Sequence, residues 1–283
     1  MATTGSKPIL ERWRQSLVAA PPLLFLLVFF LAPTLIMAVA SFRYPGEFGA
    51  LAPLFARKPG EEAGLTVENY RIFFGDWIYL EIFLKSFAIA ALTTLLCLSA
   101  AYPLALLIAR SPKRRRDLMV LLCVLPFASN FLVRVYAWMI MLGPFELLFT
   151  PFAVLCALVY VHLPFMVLPL YINLERHDPL LLDAAQDLGA NAWHRFWRVT
   201  FPLSLPGVLA GSALVFIPAF GIFAIPEILG GIGDWMVGNM IKEAFLGVRD
   251  WPFGSMLSMM LTVCVLAIVG IAARLAGGRG EHA

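Results

Sequence analysis

The sequence predicts an all-α integral membrane protein with six transmembrane helices, both termini cytoplasmic, and a helical hairpin in the cytoplasmic connection between spans four and five. Three observations predict it. The chain is 61% apolar and only 14% charged, against about 45–50% and about 25% in soluble domains. Five stretches carry no charged residue, 15–42, 86–109, 147–174, 199–226 and 251–273, and a sixth, 118–145, holds only Arg134. Each exceeds the roughly 20 helical residues that cross a bilayer core. Lys and Arg number 13 in the connections that share a side with the N-terminus and 7 in the alternate ones, and basic residues near span ends mark the cytoplasmic side. A transmembrane barrel is excluded because Leu23 to Ala32 is an unbroken apolar block rather than an alternating one. The polar remainder is too divided to form a separate catalytic domain.

In chain order, residues 1–16 form a cytoplasmic segment, 17–275 the membrane domain and 276–283 a cytoplasmic tail. The spans fall at about 17–42, 86–109, 118–142, 152–173, 204–226 and 252–273. Lys7, Arg12 and Arg14 precede span one as they would a signal peptide, but the apolar run exceeds the 7–15 residues of such a segment, so an uncleaved helix is expected. The outer loop 43–85 reads as turns at Pro45, Gly46, Pro53, Pro59, Gly60 and Gly64. It ends in a short interfacial helix capped by Thr66, with Val67, Tyr70, Phe73 and Phe74 on one face, followed by Trp77 and Tyr79. Lys113-Arg114-Arg115-Arg116 anchors the next inner loop. Gly143-Pro144 and Pro151 make a tight outer hairpin around Glu146. Gly207 and Gly211 form a small-xxx-small pair suited to close helix packing, and Gly230-Gly231-x-Gly233 reads as the flexible exit from span five.

The inner loop 174–203 is the informative one. Asp178 before Pro179 is an N-cap with proline at the first helical position, Gly189 is a left-handed stop, and Asn191 can cap a second helix. Leu181, Ala184, Ala185 and Leu188 share a narrow apolar face, while Asp183 and Asp187 project together. On the second helix Trp193, Phe196 and Trp197 form an aromatic face, as in a helix lying at the inner membrane surface. Small residues beside a glycine turn admit another protein's surface. They equally suit a loop packed on its own bundle.

This loop resembles the coupling motif of ABC importer permeases, an EAA triplet, three residues, glycine, nine residues, then I-x-L-P. Asp183-Ala184-Ala185 is followed after three residues by Gly189, and nine more lead to Val199-Thr200-Phe201-Pro202. The likeness covers almost the whole chain and is similar to the putrescine/spermidine branch, through LVRVYAW (Leu132 to Trp138), LPFMVLPLY (Leu163 to Tyr171), VFIPAFGIFAIPEILGG (Val215 to Gly231) and RDWPFGS (Arg249 to Ser255). One departure is the direct passage from Met141-Leu142-Gly143 to Phe149-Thr150-Pro151, where the family has a longer outer connection. The resemblance implies a type-1 transmembrane domain in the bacterial cytoplasmic (inner) membrane, importing polyamines by alternating access. It assigns ATPase coupling to Asp183, Ala184, Ala185, Gly189 and Pro202. It implies as partners a cytosolic ABC ATPase dimer, which carries the ATP and Mg, a second homologous permease, a periplasmic or extracellular solute-binding protein, and membrane lipid, with no nucleic acid. Alternatives are an ABC permease for another small solute and an ion-coupled secondary transporter.

The residues themselves offer no enzyme chemistry and no bound cofactor. There is no G-x-x-x-x-G-K-[ST] loop and no H-E-x-x-H, the four histidines are scattered, and Cys97, Cys123, Cys156 and Cys264 lie in apolar stretches as packing residues. Arg134 and Glu227 need an account, since an arginine at mid-membrane costs about 2.5–3.5 kcal/mol on insertion scales. They are expected to pair or share a polar cavity, with Glu227 oriented towards a cationic substrate; the alternative is an Arg snorkelling to water and a Glu in the headgroup layer. Phe216, Phe220, Phe223 and Glu227 recur at intervals of 4, 3 and 4. One helical face would then offer rings and a carboxylate to ammonium groups, or simply pack. Trp138 completes the set of substrate-path candidates.

Overall fold

The computed structural model describes residues 20–46, 49–55 and 63–277. The expected segment 1–16, the start of span one and residues 278–283 lie outside them. Five described helices are long and apolar enough to cross a membrane: α1 (Ala20–Ala40), α3 (Trp77–Arg110), α6 (Pro151–Glu175), α8 (Ala192–Gly221) and α11 (Trp251–Gly277, of which Trp251–Ile271 forms the span). Between them lie α2 (Glu68–Gly75), α4 (Lys113–Val124), α5 (Phe131–Leu142), α7 (Pro179–Asp187), α9 (Ala224–Leu229) and α10 (Val237–Lys242).

The expected span three, 118–142, is not one straight helix. Lys113–Ala128 and Phe131–Phe145 meet at 92°, so the count reaches six only if this bent pair is one span. Pro126 turns the end of α4 into a 3-10 segment, Leu125–Ala128, and Ser129 and Asn130 are extended. Asn130 then starts α5 afresh, its Oδ1 accepting from the Leu132 N–H at 2.8 Å. Counting uncharged residues cannot register such a break, because a proline and a capping asparagine change direction without changing hydropathy.

The chain forms two compact units, Phe73–Glu243 with Met260–Ala283, and Met1–Ile72 with Ala244–Met259. In the larger, α3, α6 and α8 pack against one another. Cys97, Ala101, Ala105 and Ile108 of α3 meet Met166, Val167, Leu170 and Leu174 of α6 and Val208 and Val215 of α8. The close approach is set by Gly207 and Gly211. A Cβ at Gly207 would stand 2.7 Å from Asn173 Cβ, and one at Gly211 would stand 2.8 Å from Met166 Sδ. Tyr102 and Ser204 bridge α3 and α8 through a 2.7 Å hydroxyl pair. A second cluster joins Val135 and Leu142 of α5 to Val154, Leu158 and Val161 of α6 and Ile225 and Leu229 of α9. The tight hairpin after α5 is tied there as well, Phe149 N–H donating to Leu229 O at 2.9 Å.

In the smaller unit, α1 is followed by a loop whose described residues make two isolated bridges, Arg43 with Leu65 and Pro45 with Leu51; the expected turn at Pro59 and Gly60 lies outside the described residues. Buried Asn69 holds it together by donating to the carbonyls of Ser41 (3.1 Å) and Arg43 (3.0 Å). Ser41 Oγ and Tyr70 OH lie 2.9 Å apart, and Arg43 bonds the Ala52 carbonyl. Thr66 Oγ1 accepts from Glu68 N–H at 3.0 Å, the expected cap of α2. The predicted uniform face of that helix is split, with Phe73 buried and Phe74 exposed.

Both α1 and α8 contain a π turn, Leu27–Leu31 and Phe196–Thr200. Each ends two residues before a proline, Pro33 or Pro202. A proline gives no N–H to the carbonyl four residues back and crowds it, and the wider turn relieves that clash.

Candidate functional site

The hairpin 174–203 forms as a capped turn. Asp178 Oδ1 accepts from Leu180 N–H at 2.9 Å, and α7 runs to Asp187. Gly189 adopts φ +81°, and the N–H groups of Gly189 and Ala190 close the helix end on Gln186 O (2.8 Å) and Ala185 O (3.0 Å). Asn191 Oδ1 accepts from His194 N–H at 2.9 Å, and Arg195 donates to Gln186 Oε1 at 2.7 Å, locking the two arms together.

Asp183, Ala184, Leu188 and Gly189 are exposed and Ala185 is half-buried. Leu188 is 89% and Leu180 69% exposed, and nothing stands within 4 Å of where a Gly189 Cβ would be. Among the described residues the apolar edge of the turn therefore faces away from the bundle. Leu182 faces inward, lining a cavity of about 400 Å³ with Leu106, Arg110, Leu174, Leu181 and Leu203.

The second arm differs from expectation. No separate surface helix precedes a span at 204; α8 is continuous from Ala192 through the π turn to Gly221. Its aromatic face divides accordingly. Phe196 packs on Tyr102 at 5.4 Å, whereas Trp193 and Trp197 are exposed. Pro202 sits on α8, exposed, just past the π turn. The helix from just after the turn into the bundle is thus unbroken over 30 residues.

At the opposite end of α8 the expected stripe does not survive. The helix stops at Gly221, Ile222 is extended, and Glu227 belongs to the separate α9. Phe220 is fully buried, with Phe83 at 5.2 Å and Phe87 at 6.0 Å, and Phe216 packs on Phe87 at 5.4 Å. Phe220 is core, Phe216 is half-buried against it, and Phe223 is exposed. The i, i+4 rule fails because it presumes an uninterrupted helix, and Pro226 cannot donate to the carbonyl of Ile222.

Arg134 and Glu227 do not pair. Arg134 lies over the Phe127 ring, 5.5 Å from its centroid, with its Nε buried and without a partner. Glu227 instead binds Lys242, and Trp138 stacks edge-on against Tyr160 at 5.7 Å. Glu227 and Lys242 share a cavity of about 240 Å³ with Trp235, Asn239 and Glu243. Both partners are partly exposed, so the pair contributes about 0–1 kcal/mol.

The glycine segment after α9 is not a flexible exit. Gly231 N–H donates to Asp234 Oδ2 at 3.0 Å, and Lys85 holds Asp234 Oδ1 at 3.1 Å together with the Gly233 carbonyl. A Cβ at Gly230 would fall 2.6 Å from Pro226 O and one at Gly231 2.8 Å from Phe149 O, so these two glycines serve close approach. Sequence reasoning missed Lys242, Trp235 and the Lys85–Asp234 clamp. No group of three or more His, Cys, Asp or Glu able to hold a metal occurs among the described residues.

Residues 101–277 match the family described as "Binding-protein-dependent transport system inner membrane component". The spermidine/putrescine transport system permease protein PotB of Haemophilus influenzae is 38% identical over 87% of this chain and 88% of its own length. Its namesake from Escherichia coli is 40% identical over 70% of this chain and 78% of its own. The fold is also that of a crystal structure of a bacterial ABC transporter involved in the import of the acidic polysaccharide alginate, with TM-score 0.70, 15% identity, and 94% of this chain and 96% of that one covered. With an open helical turn at one end of α8 and a charged cavity at the other, this chain belongs to the binding-protein-dependent transport system inner membrane components, as a multi-pass, non-catalytic permease subunit of an ABC importer.

Proposed function

We propose that this permease moves polyamines such as putrescine and spermidine inward by alternating access, driven through the 174–203 hairpin by a cytosolic ATPase dimer. Residues 17–275 act as the type-1 transmembrane domain with both termini cytoplasmic, and a second homologous permease and an outer solute-binding protein complete the assembly. The observation that carries the reading is the exposed edge of α7, Leu180, Ala184 and Leu188 ending at Gly189, on a turn continuous with α8. An apolar edge left uncovered by its own chain suits a protein partner. Asp183, Ala184, Ala185 and Gly189 form the gripped surface, and Pro202 sets the π turn through which its motion enters α8. ATP and Mg belong to the ATPase.

The polyamine assignment is supported by the names of the relatives at 38–40% identity and by the carboxylates of the Glu227 cavity. Trp138 and Phe223 border the path, and Arg134 acts as a fixed cation near it. In nanodiscs containing the complete complex, putrescine-loaded binding protein is expected to stimulate ATP hydrolysis. Gly189→Val should abolish that stimulation while the ATPase still co-purifies. Stimulation by an unrelated solute with none by putrescine or spermidine would reject the substrate, and full stimulation in Gly189→Val would reject the coupling role.

A further inference from the structure

The cavity around Glu227 already contains an ammonium group, that of Lys242. We propose that this cavity is a diamine site which the protein keeps filled with its own Lys242, and that a substrate ammonium enters by exchanging with Lys242 on Glu227. The inference rests on the polyamine reading and names the place where that substrate is met.

The chemistry is a matter of likeness. A lysine side chain is a four-carbon arm ending in an ammonium, and putrescine is four carbons between two ammoniums. A carboxylate placed to receive the first can receive one end of the second. Lys242 and Glu227 are both partly exposed, so water and a solute reach the bond between them.

The rest of the lining suits an incoming diamine. Asn239 is held in place, its Oδ1 accepting from Met236 N–H at 3.2 Å and its Nδ2 donating to Phe223 O at 3.0 Å, so that wall is rigid. Trp235 offers an indole, the ring that best attracts ammonium groups. Glu243 lines the same cavity and makes no ion pair among the described residues. When Lys242 swings out, two carboxylates remain for the two ends of a diamine. At about 240 Å³ the space is below the roughly 300–1,000 Å³ of drug-sized ligand pockets and suits a slender chain.

The tether makes Lys242 a strong competitor, since a linked group acts at high effective concentration. The apparent affinity of the site falls by the fraction of time it stands open. The site therefore receives a diamine and lets it go, as a transport path requires, and in its absence the carboxylate stays neutralised.

The test measures binding of labelled putrescine to the complete transporter in nanodiscs without its binding protein. Lys242→Met is expected to bind about tenfold more tightly than the wild type, and Lys242→Arg, which keeps the competing charge, no more tightly than the wild type. Glu227→Gln, alone or with Lys242→Met, is expected to remove the binding. Unchanged or weaker affinity in a correctly assembled Lys242→Met complex overturns the exchange, as does tight binding that survives Glu227→Gln. Uptake of putrescine by the wild-type complex with its binding protein, measured in parallel, reports the polyamine reading separately; absent uptake sinks that reading and this proposal with it.

Discussion

Asn69 shows how one side chain can organise a loop that has almost no regular structure. Its amide satisfies two carbonyls, those of Ser41 and Arg43, at a point where the backbone has left α1 and cannot use helical bonds. Leaving a buried acceptor unpaired costs about 1–3 kcal/mol. Asn69→Ala is accordingly expected to lower the stability of the detergent-solubilised protein by about that amount in thermal unfolding followed by tryptophan fluorescence. Asn69→Asp, which lacks the donors, should do no better. Arg134 is the opposite case, a charge met by a ring face rather than by the carboxylate that sequence spacing suggested. Sequence position made both charges conspicuous. Which of them found a partner depended on where α9 and α10 carried Glu227 and Lys242.

Among the elements, α8 carries the most consequence. Its early turns lie so close to α6 that a methyl at 207 meets Asn173 Cβ at 2.7 Å and the Pro169 carbonyl at 3.2 Å, neither of which can yield easily. Overpacking of this kind costs about 1–3 kcal/mol. Gly207→Ala should therefore reduce the yield of monodisperse protein and its melting temperature. Gly211→Ala should be milder, because its nearest neighbour is the flexible end of Met166. The caps of α7 were readable in advance, since Asp178, Gly189 and Asn191 act within a few residues of their own chain. The end of α8 was not, because the helix stops at Gly221 while apolarity continues unchanged beyond it.

For the whole molecule, the distribution of charge and the direction of α8 together make a topological prediction. With the native cysteines replaced, a cysteine at Gly233, where a side chain meets nothing within 4 Å, should react with a membrane-impermeant maleimide in intact cells. One at exposed Lys113 should react only in inverted vesicles. The reverse pattern would overturn the assignment of a cytoplasmic hairpin and termini. Fold constrains the substrate only loosely, because the chain of an alginate importer that is 15% identical has the same fold.

By itself the sequence determined the all-helical membrane class, the capped hairpin and its motif. These depend on composition and on contacts between near neighbours, which a linear reading contains. Tertiary structure alone decided that Phe220 is buried in the core with Phe216 packed beside it and that Glu227 faces Lys242 rather than Arg134. Each of those outcomes turns on which surfaces pack together over long separations. Hydropathy cannot encode it, since lipid and protein interior are equally apolar to a side chain.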